Sequence, residues 1–106
     1  MENTEFSKIA DKTISLIADI IEVQDKDCLI DLDFQGDILN LITDNGMFVI
    51  NKHSAAQEIW LSSPISGPYH FYYDLGTWKT KNDIKLYTIL EQELRINFSD
   101  LYIIIL

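Results

Sequence analysis

Seven carboxylates stand within a short stretch of this 106-residue chain: Asp11, Asp19, Glu22, Asp25, Asp27, Asp31 and Asp33. Carboxylate oxygens are hard ligands, suited to Mg²⁺, Ca²⁺, Mn²⁺ or iron more than to Zn²⁺ or Cu⁺. Crowded carboxylates also repel one another, and a bound cation relieves that repulsion. Zinc spacing is absent, since the chain has one cysteine, Cys28, and two histidines, His53 and His70. A nucleophilic triad has little to draw on either. The chemistry predicted is weak, labile binding of a hard cation on an exposed ridge. An ordinary solvated helix face has the same composition, with Lys8 and Lys12 placed to neutralise part of it. Residue types alone leave both readings open.

Charge narrows the partners. Seventeen acidic residues face eight basic ones, for a formal net charge of −9. Residues 1–33 hold nine of the acids and three lysines, a net of −6. Binding to a nucleic acid backbone needs a basic stripe and is excluded. A cation or a basic protein surface fits instead. No apolar run approaches the length of a membrane span, so no membrane association is expected. Met1–Glu5 has neither a basic n-region nor arginine-rich transit character. Cys28 has no partner for a disulfide within the chain. The expectation is a protein of the bacterial cytoplasm, in one domain covering residues 1–106.

The elements that must position these carboxylates follow from periodicity. From about Thr4 to Val23, Phe6, Ile9, Thr13, Leu16, Ile17 and Ile20 recur at helical spacing, with Thr4 as N-cap. At 100° per residue, Asp11, Ser15, Ala18, Asp19 and Glu22 fall on the opposite face. Asp25 and Asp27 follow in a loop. In Leu29–Phe34, Ile30, Leu32 and Phe34 alternate with Asp31 and Asp33, which predicts a strand with one wet face. An edge position beside the helix would join both acidic sets into one ridge. Further strands are predicted at Ile38–Thr43, Met47–Asn51, Glu58–Ser62, Tyr69–Tyr73 and Thr77–Thr80, with Asn45-Gly46 as a hairpin turn. Asn82 or Asp83 then caps a second helix carrying Leu86, Ile89, Leu90 and Leu94. The fold class is α+β, an antiparallel sheet of about five to six strands with both helices on one face. The apolar tail Leu101–Leu106 is read as an anchor beside the helices.

A second constellation is more specific. Ile59-Trp60-Leu61-Ser62-Ser63-Pro64 and Ser66-Gly67-Pro68, preceded by Asn51-Lys52, resemble the signature segment of the frataxin family. Glu5-Phe6, Ala10-Asp11, Asp31-x-Asp33, Gly36, Asn45-Gly46, Trp78 and Leu90-Glu91-Gln92 extend the resemblance over nearly the whole chain. Strand alternation agrees: with Ile59 and Leu61 facing the core, Trp60 faces outward, where a tryptophan serves as an interface anchor.

The resemblance implies the frataxin α-β sandwich and a role in delivering or gating iron, Fe²⁺ or Fe³⁺, for iron–sulfur cluster assembly. It implies a complex with the cysteine desulfurase, whose basic surface would meet the ridge at Asp19 and Glu22. The sheet around Asn51, Trp60 and His70 would contact the desulfurase and the iron–sulfur scaffold protein. The expected state is a monomer, with iron-driven oligomers as an open alternative. Departures are Ala18 and Val23, where bacterial relatives are often acidic, and His53, Ala55 and Glu58, which replace glutamine, proline and glutamine. Three roles fit: iron donor, regulator of the desulfurase, or ferroxidase. An open wet ridge suits the last least, and no enzyme activity is expected as the main role.

Overall fold

Phe6, Ala10, Thr13, Ile14, Ile17, Ala18 and Ile21 recur at steps that keep them on one side of a helix, and all seven are buried on α1 (Asn3–Gln24). This stripe is rotated from the predicted one. Ile9, Leu16 and Ile20 only flank it, part-buried, and Ala18 is 4% exposed inside the core. Ala18 lies four residues after Ile14 and three before Ile21, so it shares their side of the helix. The cap differs as well. Extended Glu2 precedes the first turn without a side-chain cap, and Thr4 lies within the helix.

The computed structural model describes residues 1–98, so the predicted anchor Leu101–Leu106 lies outside the described residues. After α1 come β1 (Asp31–Gln35), β2 (Ile38–Thr43), β3 (Gly46–His53), β4 (Glu58–Ser63), β5 (Gly67–Asp74), β6 (Thr77–Lys79) and α2 (Leu86–Leu94). The strands form one antiparallel sheet in sequential order, with β1 and β6 at its edges. Residues paired directly across an antiparallel ladder share a face. One face therefore carries Leu39, Leu41, Phe48, Ile50, Ile59, Leu61, Phe71 and Trp78, all buried beneath α1 and α2. From α2, Leu86, Tyr87, Ile89 and Leu90 complete this layer. The architecture is the α-β sandwich expected, two helices on one face of a six-stranded sheet.

Threonine in the apolar stripe has a reason. The Thr13 hydroxyl donates to Ile9 O at 2.8 Å and accepts the indole N–H of Trp78 at 3.0 Å. Each polar group here satisfies the other out of water. The hairpin forms where Asn45-Gly46 predicts it, but Asp44 and Asn45 make the turn and Gly46, paired with Thr43, opens β3; Gly46 has φ +120°, and a Cβ there would lie 2.9 Å from Cβ of Pro64. Only glycine meets both demands.

Three local readings change. The first strand starts at Asp31, leaving Leu29 exposed, and Phe34 at the sheet edge is 53% exposed rather than buried. An edge strand has a neighbour on one side only, so its apolar side chains are covered only in part. Lys85, not Asn82 or Asp83, occupies the cap position of α2. Asp83 instead takes φ +65° in the preceding turn, where Thr80 Oγ1 accepts the N–H of Ile84 at 3.1 Å. Among the described residues, no helix is long and apolar enough to cross a membrane.

Candidate functional site

The acidic side chains divide into engaged and free ones. Asp11 sits on the flank of α1 nearest the sheet, where Lys52 Nζ lies 2.9 Å from its carboxylate and 3.4 Å from that of Asp37. Lys52 pairs with core-facing Ile59, so its side chain runs under the helix layer and is only 11% exposed. The hydrogen bond to Asp11 is the main cause of a Lys52 pKa raised above the ordinary lysine value, helped by the charges of Asp11 and Asp37 and opposed by burial. A raised folded-state pKa means that this contribution is complete below the unfolded lysine value and is lost as pH rises through the folded one.

Asp25 closes the loop after α1. Its Oδ1 accepts the N–H of Leu29 at 2.9 Å and its Oδ2 that of Ile30 at 2.8 Å. Asp33 accepts the side-chain amide of Gln35 at 2.8 Å. Asp19, Glu22, Asp27 and Asp31 are exposed and have no side-chain ion pair or hydrogen bond among the described residues.

β1 is the edge strand predicted. Asp31 pairs with Ile42 and Asp33 with Asn40, which puts both acids on the sheet face turned away from the helices. Asp19 and Glu22 belong to the helix layer. The two acidic sets thus belong to different layers of the sandwich, on the side where β1 forms the sheet edge. Among the described residues, no three His, Cys, Asp or Glu side chains converge to hold a metal ion.

The open sheet face is organised around Trp60. Ile59 and Leu61 are buried on either side of it in the strand, and alternation turns the indole outward as expected. Its N–H donates to Glu58 Oε1 at 2.9 Å. The His53 ring stacks on the indole at 3.8 Å between centroids and 14° between planes. His70 stacks at 4.1 Å and 7°. His53 Nδ1 also accepts the N–H of Ala56 at 3.3 Å. Asn51, opposite Trp60 in the ladder, lines a shallow hollow with Val49, Ser62 and His70. Sequence reasoning put Asn51, Trp60 and His70 together but treated His53 as a mere departure. Hairpin register was the available signal, because His70 stands directly opposite Trp60.

The Ser-Ser-Pro-x-Ser-Gly stretch has a structural explanation that the sequence did not supply. Ser63 Oγ accepts the N–H groups of Ile65 and Ser66, each at 3.0 Å, and donates to Glu93 Oε1 at 2.5 Å. Ser66 Oγ donates to Glu93 Oε2 at 2.6 Å. One carboxylate on α2 thereby fixes the β4–β5 loop beside the open face.

A six-stranded antiparallel meander with its helices on one face and an aromatic, polar surface on the other defines an α-β sandwich whose bare sheet is available for contact. Residues 1–100 match the model of the frataxin-like domain, and the chain belongs to the frataxin family. It is 35% identical over 95 residues to the iron-sulfur cluster assembly protein CyaY of Vibrio vulnificus, covering 88% of each chain. Among solved structures, frataxin from Psychromonas ingrahamii superposes with a TM-score of 0.77 at 25% identity, over 89% of each chain. A trimeric frataxin from the yeast Saccharomyces cerevisiae, complexed with ferrous iron, gives 0.74 at 32% identity over 82% of each chain.

Proposed function

We propose that this chain serves iron–sulfur cluster assembly in the cytoplasm, as a weak iron carrier that docks on a cysteine desulfurase and its scaffold protein. The observation that carries the reading is the set of exposed carboxylates uncommitted among the described residues, Asp19, Glu22, Asp27 and Asp31, beside a sheet face that the described helices leave uncovered. The assembly role of the CyaY relative and the ferrous iron of the yeast relative support it. Asp19 and Glu22 would meet a basic partner surface, while Asn51, Trp60 and His70 would contact the assembly through the sheet. Exposed carboxylates that do not converge exchange cations readily, as a carrier requires. Catalysis by this chain forms no part of the proposal.

A second reading makes the protein a regulator of the desulfurase, with iron incidental. The commitment of Asp11, Asp25 and Asp33 to protein groups favours it. An anaerobic Fe²⁺ titration followed by NMR, repeated with purified cysteine desulfurase, separates the two. The expected result is that iron shifts Asp19, Glu22, Asp27 and Asp31 first. In the double variant Asp19→Lys, Glu22→Lys, affinity for both ligands falls by about tenfold at low salt and less at high salt. If the desulfurase moves α1 while iron moves nothing, the carrier reading fails and the regulator stands. No response to either ligand overturns both.

A further inference from the structure

Trp60 is held from three sides. Glu58 Oε1 accepts its N–H, His53 covers one face of the ring, and His70 covers the other. An outward tryptophan would otherwise sample several rotamers, and fixing it before contact lowers the entropy lost on association. The three rings come from three neighbouring strands, β3, β4 and β5, so the sheet register itself aligns them. His53 also has a second tie. Because its Nδ1 accepts the Ala56 N–H, the neutral ring carries its proton on Nε2. A second proton must go onto Nδ1, where it meets the Ala56 N–H, donor against donor.

We infer that His53 and His70 are positioning residues for Trp60, and that their hold weakens when His53 takes up a proton. The inference rests on the reading that this sheet face docks the partner. Other charged and titratable groups surround the stack. Glu58 of β4 stands opposite His53 and beside the indole N–H. Tyr72 of β5 lies opposite Glu58, with Lys79 of β6 opposite Tyr72. Lys81 lines the hollow shared by Glu58 and His70. Glu58 attracts an imidazolium, and the indole face does so too. Both attractions oppose the change, and the donor clash at Nδ1, which lies in the path of His53 alone, must outweigh them to displace that ring from the stack.

The turn gives the displacement a second consequence. Gln57, next to Ala56, donates through Nε2 to Met1 O at 2.7 Å and to Asn3 Oδ1 at 2.9 Å, tying this turn to the start of α1. Loss of the Ala56 bond loosens the turn on one side while Gln57 still holds the other. The disturbance is thereby confined to Ser54–Ala56 and the rings.

The test needs no partner at first. In a pH titration from about 8 to about 5.5, followed by ¹⁵N NMR, the Ala56 amide and the Trp60 indole N–H are expected to shift along one curve. In His53→Gln the Ala56 amide should stay nearly still, and the Trp60 indole should no longer follow it. Binding to the desulfurase–scaffold complex is then measured across the same range. Wild type should lose about threefold to tenfold more affinity on acidification than His53→Gln, the worth of one aromatic stack. His70→Ala should weaken binding at every pH. Parallel pH profiles for wild type and His53→Gln, or a Trp60 indole that ignores the Ala56 transition, overturn the inference. If Trp60→Ala binds as wild type does, the docking reading falls, and the NMR curves still decide the stack.

Discussion

The chain's two tryptophans occupy opposite faces of one sheet, and each gives its indole N–H to a side-chain oxygen. Trp78 donates to Thr13 and packs against Phe6 at 6.1 Å and Tyr73 at 5.1 Å, with no exposed surface. Trp60 donates to Glu58 and lies between two imidazoles, half-buried. The first ring is enclosed by a helix layer that comes off only when the protein unfolds. The second is enclosed only by side chains of the sheet's own surface. The same residue type thus stabilises the fold on one face and stays available for contact on the other, and the covering groups decide which.

The contrast can be broken most sharply at Trp78. Trp78→Ala is expected to cost about 3–5 kcal/mol in urea unfolding, a large part of a small domain's stability. Removing only the acceptor is gentler. Thr13→Val keeps the shape but leaves a buried indole N–H unpaired, for an expected loss of about 1–3 kcal/mol by the same measurement. Trp60→Ala should change stability by less than about 1 kcal/mol while weakening the assembly complex. A Trp60→Ala cost as large as that at Trp78 would erase the distinction between the faces.

What the sequence revealed and what it concealed divide along the range of the interactions. Ile38–Thr43 was read to the residue, and the β2–β3 hairpin was clear, though its turn falls one residue earlier than Asn45-Gly46, at Asp44-Asn45. The outward turn of Trp60 needed only strand alternation. Ala18 was misplaced because the sides of a helix are set by the buried stripe as a whole, and the flanking Ile9, Leu16 and Ile20 pulled the reading off centre. The ion pair of Asp11 with Lys52 joins residues from different layers, so no spacing rule could show it. The ring stack depended on register, where a slip of one residue moves a side chain to the other face. Phe34 looked like core because the pattern does not say how far the helices extend over an edge strand.

The sequential order of the strands bears on how the chain reaches this fold. Each strand pairs with the one made just before it, so each step closes a loop of a few residues at small entropic cost. The first helix is the exception, since the hydrogen bond from Trp78 to Thr13 spans 65 residues. A chain emerging amino end first would therefore make α1 early and complete the cover of its apolar stripe only when β6 delivers Trp78. Sheet growth is local, whereas the ties of α1 to Lys52, Gln57, Trp78 and Asn97 are all distant closures, the kind that slow folding.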